Sequence, residues 1–480
     1  MVLNDLKPNA IWQHFESINS IPRASTKEEE IIHFMIAFGN SLGLETIVDD
    51  IGNVIIKKPA SAGKENHKTV VLQGHLDMVH QKEAESKFDF ATQGIEMYID
   101  GDWVKAKETT LGADNGIGSA AIMAVLSSND LVHPPIEALF TIDEEMGMTG
   151  AMALTKEQLK GKILLNLDSE EDDEITIGCA GGADVEIKGT YATETLNAAA
   201  YEMQTITVGN LTGGHSGVDI HLNRANAIKV MAECLQELTA NLECRIQSVH
   251  GGTLTNVIPR DCSAVIAIPT TELDEFINEL NVLESKRRQQ YAATDSALTI
   301  TTTKTATTLS VMSKDAHDYL LSGLLSIPNG VYKVTPKMPD LVQTSNSISI
   351  IKLEGGRYTI ACHARSSVDK ERLEIIETIT GIFNESDVLE IGPYPGWEPR
   401  PDSELLHAAV AIYEKLNGAK PAVKSIHAGL ETGILSGTYP DMEMISFGPN
   451  ILGAHSPEER LQISSTQKFW KFLTEILKNL

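Results

Sequence analysis

Four short apolar runs in this chain each lead into a histidine or a carboxylate, and no other feature restricts its fold as much. T-V-V-L-Q at 69–73 is followed by G-H-L-D, which supplies His75 and Asp77. A-L-F-T-I at 138–142 is followed by Asp143, Glu144 and Glu145. K-I-L-L-N-L at 162–167 is followed by Asp168, Ser169 and Glu170. M-I-S-F at 444–447 leads through G-P-N-I-L-G-A-H to His455. A further acid, Asp114, lies in L-G-A-D-N-G-I-G just before a helix-like stretch, Ile117–Leu126. Strand-like runs alternating with helix-like ones predict an α/β fold, a mixed, mostly parallel sheet flanked by helices. Open sheets of this kind carry their sites at the carboxyl ends of strands. These residues, far apart in sequence, are therefore expected to converge on one edge.

At 480 residues the chain is too long for one ordinary core. The alternating pattern covers residues 1–182 and returns in 398–480, with a helix at Ser403–Leu416 and a terminal helix at Ser465–Leu480. Residues 183–397 read differently, as an inserted α+β lid domain. One series runs strand Thr205–Gly209, helix Arg224–Leu238, strands Cys244–Val249 and Ser263–Ile268, helix Glu272–Tyr291, strand Ala297–Thr303. A second runs strand Thr308–Met312, helix Lys314–Leu325, strands Ser347–Leu353 and Tyr358–Ala364, helix Lys370–Phe383, strand Val388–Ile391. Both match β-α-β-β-α-β, so the lid is expected to be two ferredoxin-like halves.

The formal net charge of −27 argues against nucleic acid or an anionic membrane as partner. The five cysteines form no C-x-x-C pair, which fits a reducing compartment and makes thiolate-bound zinc a poor reading. No stretch approaches the roughly 18 apolar residues of a membrane span, and M-V-L-N-D-L-K-P lacks a basic-then-apolar signal. The expectation is a cytoplasmic protein.

Two histidines and several carboxylates in one cleft suit zinc, manganese or cobalt. Five ligands that include one shared carboxylate make two metal sites, and an unliganded carboxylate beside them can serve as general base. Each piece alone has a plainer reading. H-x-D is common, a lone histidine at a strand end is more often structural, and an isolated E-E pair is more often solvated charge. The case rests on all of them following apolar strands.

G-H-L-D-M at 74–78, G-A-D-N-G at 112–116, T-I-D-E-E at 141–145, L-D at 167–168 and G-A-H-S-P at 453–457, in this order, resemble the aminoacylase/carboxypeptidase G clan of co-catalytic zinc peptidases. The likeness runs essentially end to end. Within the clan, the G-A-D-N-G-I-G form and the long central domain are most similar to the bacterial aminoacyl-histidine (Xaa-His, or cytosol non-specific) dipeptidases, whose catalytic domain is zinc-aminopeptidase-like. The resemblance implies two divalent cations, zinc first, with cobalt or manganese as alternatives. It implies His75 and Asp168 on one cation, Glu145 and His455 on the other, Asp114 bridging both, and Glu144 as general base. Asp77 would hydrogen-bond His75 and set its tautomer.

In the central domain, His215 of G-G-H-S-G resembles the lid histidine that meets the developing oxyanion. Arg365 of C-H-A-R-S-S resembles the arginine that grips the substrate's terminal carboxylate. Asn256 of T-N-V-I-P resembles the lid asparagine near the same end. Taken alone, the glycines around His215 also suit a simple turn, and Arg365 suits an ion pair with a surface acid. Glu431, in H-A-G-L-E-T-G at 427–433, is a weaker candidate for the substrate amine. His80 and His427 lie near these segments and receive no role.

The implied activity is hydrolysis of dipeptides with a free C-terminus, of broad specificity and including Xaa-His substrates. Tripeptidase or N-acyl amino acid amidohydrolase activity is the alternative within the clan, and peptide or metal binding without turnover the alternative outside it. The implied partner is a small peptide, with a homodimer allowed. Because G-G-H-S-G occurs only in the first lid half, His215 is expected to serve its own chain, with hinge crossings near Gly181 and Gly396.

Overall fold

The computed structural model describes residues 2–306, 309–336 and 338–480. The chain forms two compact units. One comprises Met1–Cys179, Trp397–Ser425 and Leu430–Leu480, the other Ala180–Gly396 and Ile426–Gly429.

The first unit is built on an eight-stranded mixed sheet. Four parallel strands occupy its centre, in the order Ile136–Thr141, Val70–His75, Ile163–Asn166, Glu443–Ser446. Antiparallel strands flank them, Val54–Lys58 on one side and Glu174–Cys179 on the other. The first three central strands are buried at every residue, which is why they read as continuous apolar runs rather than alternating ones. Register aligns their carboxyl ends, with His75 opposite Thr141 and Gln73 opposite Asn166. The helix Ala113–Ser127 is buried almost all round. Gly118 permits that approach, since a Cβ there would lie 2.3 Å from the Leu167 carbonyl oxygen. Asn115 Nδ2 donates to the same carbonyl at 2.6 Å, and Ser119 Oγ to the His75 carbonyl at 3.0 Å. These bonds fasten the start of the helix to two strand ends.

The second unit carries a nine-stranded antiparallel sheet. Its first half orders the strands Thr299–Lys304, Tyr201–Gly209, Cys262–Pro269, Arg245–Gly251, the fourth, first, third and second of the expected series. The helix Ala227–Asn241 covers it with Ile228, Met231, Leu235 and Leu238 buried, a 3.6-residue stripe. The Asn226 side chain caps its start by accepting from the Ile228 and Lys229 amides.

The second half departs from the sequence reading. Its strands run Asp387–Tyr394, Gly181–Thr190, Arg357–Ser366, Met338–Glu354, so the position expected for Thr308–Met312 belongs to Gly181–Thr190. Thr308 lies outside the described residues. Ser310–Met312 pairs instead with Thr193–Thr195, apart from the main sheet. The first half is thus inserted between the first strand and the first helix, Lys314–Ser326, of the second. Three paired residues leave most of a strand's backbone groups unserved, whereas Gly181–Thr190 pairs at all ten residues with Arg357–Ser366 and at six with Asp387–Tyr394. The halves join where Arg245–Gly251 pairs Met338–Glu354.

All five cysteines are buried and free. Among the described residues no helix is long and apolar enough to cross a membrane.

Candidate metal centre and active site

The central strands of the first unit bring the expected ligands together. His75 Nε2 lies 3.1 Å from Asp114 Oδ1 and 3.5 Å from Asp168 Oδ1. His455 Nε2 lies 3.2 Å from Asp114 Oδ2 and 3.0 Å from Glu145 Oε2. The two oxygens of Asp114 therefore face two different imidazoles. His455 adopts a left-handed backbone, φ 63°, uncommon for a residue with a side chain. It sits in a tight loop where Ser456 Oγ bonds the Gly453 carbonyl at 2.7 Å and the Glu459 amide bonds the Ser456 carbonyl at 3.0 Å.

Residues outside the expected ligand set hold these loops. The Asp77 carboxylate lies 3.3 Å from His75 Nδ1. It also accepts the amides of Glu144 at 3.0 Å and Glu145 at 3.2 Å, and the Ser25 hydroxyl at 2.8 Å. Arg23, 1 % exposed, donates to the carbonyls of Leu76, Asp77 and Gly112. Glu459, 2 % exposed, accepts the amides of Leu111, Gly112, Ala113 and Asp114 at 2.7–3.3 Å. Sequence reasoning missed Arg23, Ser25 and Glu459. The one available signal was for Glu459, an acid four residues after His455 in a matched loop.

The cluster concentrates anionic groups. Burial pushes Asp168 up to about 6, helped by Asp114 and Glu145. Burial opposes charge on His75 too, but Asp168, Asp114 and Asp77 raise it well above the usual histidine value. Hydrogen bonds that His455 donates to the carboxylates of Asp114 and Glu145 raise it to about 11. Glu145 Oε1 and Asp168 Oδ1 are buried without a hydrogen-bond partner. Such oxygens cost free energy unless something satisfies them. Oxygen and imidazole donors packed this closely, with His75, Asp114 and Glu145 offering ligand atoms within 4.8 Å of one another, fit a divalent cation.

Glu144 is half-buried, and burial followed by the neighbouring carboxylates Asp168, Glu431 and Glu145 raises it well above the carboxylate range. Glu431, the weaker candidate for the substrate amine, lies in the first unit. It is 1 % exposed, and its Oε2 accepts Gln73 Nε2 and Thr141 Oγ1, both at 2.6 Å. It thus braces two central strands through Oε2, while Oε1 is buried without a hydrogen-bond partner. Burial pushes it up to about 8.

In the second unit, Gly214–His215 pairs with Val257–Ile258. Exposed Asn256 accepts the Ser216 amide at its carbonyl, 2.8 Å away. His215 Nδ1 accepts the amides of Gly217 at 3.1 Å and Val218 at 3.0 Å. Burial and the charge of Arg365 keep this imidazole below its usual pKa. A neutral ring accepting at Nδ1 carries its proton at Nε2, so His215 presents a donor. Arg365, 4 % exposed, donates from Nη1 to Tyr394 Oη at 3.1 Å, while its Nε is buried without a partner. His427, beside Arg365, bonds Ser345 Oγ at 2.7 Å, and burial lowers it to about 3.

The chain is similar to known peptidases in sequence and fold. Residues 206–295 match the family model of a peptidase dimerisation domain, and residues 53–232 that of peptidase family M28. The chain is 37 % identical to the cytosol non-specific dipeptidase of Escherichia coli (strain K12), over 100 % of this chain and 99 % of that one. The crystal structure of aminoacylhistidine dipeptidase from Vibrio alginolyticus superposes with a TM-score of 0.96 at 38 % identity, covering 100 % of this chain and 98 % of the other. An aminopeptidase from Bacillus cereus shares the fold at 17 % identity and a TM-score of 0.58, over 98 % of both chains.

Proposed function

The chain belongs to the cytosol non-specific, or aminoacylhistidine, dipeptidase family and is a metal-dependent dipeptidase, and on that premise we propose which residues perform the hydrolysis. His75 and Asp168 hold one divalent cation, Glu145 and His455 a second, and Asp114 both. The observation that carries this reading is the division of Asp114, with Oδ1 toward His75 and Oδ2 toward His455. The cations are zinc, with cobalt or manganese able to replace it, since the donors are nitrogen and oxygen only. Bound there, they supply Lewis acidity toward the scissile carbonyl and lower the pKa of water.

Glu144 is the general base. Fixed through its amide by Asp77, it takes a proton from the attacking water and returns it to the leaving amine. Positive charge in the cluster opposes the burial and carboxylate repulsion that raise Glu144. His215 donates from Nε2 to the developing oxyanion. Arg365 binds the free terminal carboxylate through its planar fork, with Asn256 contributing at the same end. A carboxylate clamp at one fixed position suits dipeptides of many side chains, Xaa-His among them.

The match of 206–295 to a peptidase dimerisation domain supports a homodimer. Five free buried thiols and the cytosolic relative support a cytoplasmic location. The test is metal analysis of the purified protein alongside a panel of dipeptides, tripeptides and acyl-amino acids. Two metal equivalents and turnover on dipeptides are expected. One equivalent at full activity would overturn the paired-cation assignment.

A further inference from the structure

Gly182 leaves room for three polar side chains to converge in the second unit. A Cβ there would lie 2.6 Å from Tyr394 Oη and 2.9 Å from His363 Nε2. Tyr394 Oη accepts Arg365 Nη1 at 3.1 Å. On the strand Arg357–Ser366, Arg365 stands opposite Gly182 and His363 opposite Asp184. Residues two apart on a strand share a face, so Arg365 and His363 are side-by-side neighbours.

His363 hydrogen-bonds Asp184 through Nδ1. Burial, with the charge of Arg365, keeps the His363 imidazole below its usual pKa, while hydrogen bonds from His363 and Thr255 outweigh burial and hold Asp184 ionised. The Nδ1 proton therefore points at the carboxylate, and Nε2 keeps a lone pair. That Nε2 is buried without a hydrogen-bond partner, on a side chain 10 % exposed. A phenol hydroxyl can both accept and donate, and the Tyr394 hydroxyl and the His363 lone pair both face the space over Gly182.

We propose that Asp184, His363 and Tyr394 form a hydrogen-bond chain that orients the Arg365 guanidinium for the substrate carboxylate. Tyr394 donates its proton to His363 Nε2 as the carboxylate seats on Arg365, and Asp184 holds the imidazole in the tautomer that can accept it. His363 and Tyr394 are positioning residues, acting through Arg365. The proposal rests on the carboxylate-clamp reading of Arg365.

The test compares His363→Leu, His363→Gln, Tyr394→Phe and the His363→Leu/Tyr394→Phe double variant, each loaded with metal and checked for fold by circular dichroism. kcat and KM are measured on a dipeptide and on its C-terminal amide. His363→Leu and Tyr394→Phe should each raise the dipeptide KM roughly tenfold, the loss of one hydrogen bond to a charged group, with kcat and the amide KM little changed. The double variant should be no worse than the more severe single one. His363→Gln, whose amide oxygen replaces the lone pair, should recover most of the affinity. Additive effects, equal KM changes for dipeptide and amide, or a loss confined to kcat would overturn the chain. Should the wild-type enzyme handle dipeptide and amide alike, the clamp itself fails and the chain falls with it, a result separable from failure of the variants alone.

Discussion

Asp77 Oδ1 accepts the backbone amide of Glu144 at 3.0 Å, so the residue two after a proposed metal ligand also holds the proposed base. Asp77→Ala should therefore impair more than metal binding. Affinity for metal should fall about 10–100-fold, as for other supports of ligating histidines. Saturating metal should restore the metal content but not kcat. Full activity at saturating metal would show that Asp77 acts through His75 alone.

Glu144→Ala should lower kcat by about 10²–10⁴, the usual scale of a general base, while metal content stays near that of wild type. Steady-state kinetics with metal analysis decide this. Substantial remaining turnover would remove Glu144 from its role.

Asp114 faces both imidazoles, so Asp114→Ala should lose more than one equivalent of metal. His75→Ala should mainly weaken one site. Equilibrium dialysis gives the stoichiometries, and two equivalents retained in Asp114→Ala would exclude the shared ligand.

Arg365→Lys should bind dipeptides poorly, because an ammonium cannot reproduce the planar two-point fork. C-terminal amides of good dipeptide substrates should be poor for the wild-type enzyme. Both follow from KM measurements, and equal rates on acids and amides would argue against the clamp.

Glu431 is raised to about 8 in the fold from an ordinary 4.5. The folded state thus binds its proton more tightly than the unfolded chain does. The associated stability is fully present below the ordinary value and is lost as pH rises through about 8. In metal-free protein, Glu431→Gln keeps the side chain uncharged and should remove this part of the decline. Thermal midpoints of both proteins between pH 5 and pH 9 test it, and parallel pH profiles would contradict it.

The strands were readable because each needs only a local code. An apolar run of five or six residues closed by a polar one marks a strand buried on both faces and the functional group at its end, as at Val70–His75 and Ile136–Thr141. Five matched motifs likewise name the residues that the strand ends bring together. The first strand of the second lid half was not readable in that way. Gly181–Thr190 precedes an entire inserted half before its partner strand Arg357–Ser366 arrives, and nothing local distinguishes it from Ser310–Met312.

The sequence by itself determined which side chains have ligand and acid–base chemistry and that they follow buried strands. Tertiary structure alone decided how they are held. Arg23 reaches the Gly112 carbonyl across 89 residues, and Glu459 the Ala113 amide across 346. These partners are backbone groups, which nearly every residue offers alike, so no pattern of side chains records the contact. The same holds for Glu431. Its residue type suggested a partner for the substrate amine and carried no sign of its burial against Gln73 and Thr141, because exposure is set by what the whole chain packs around a residue.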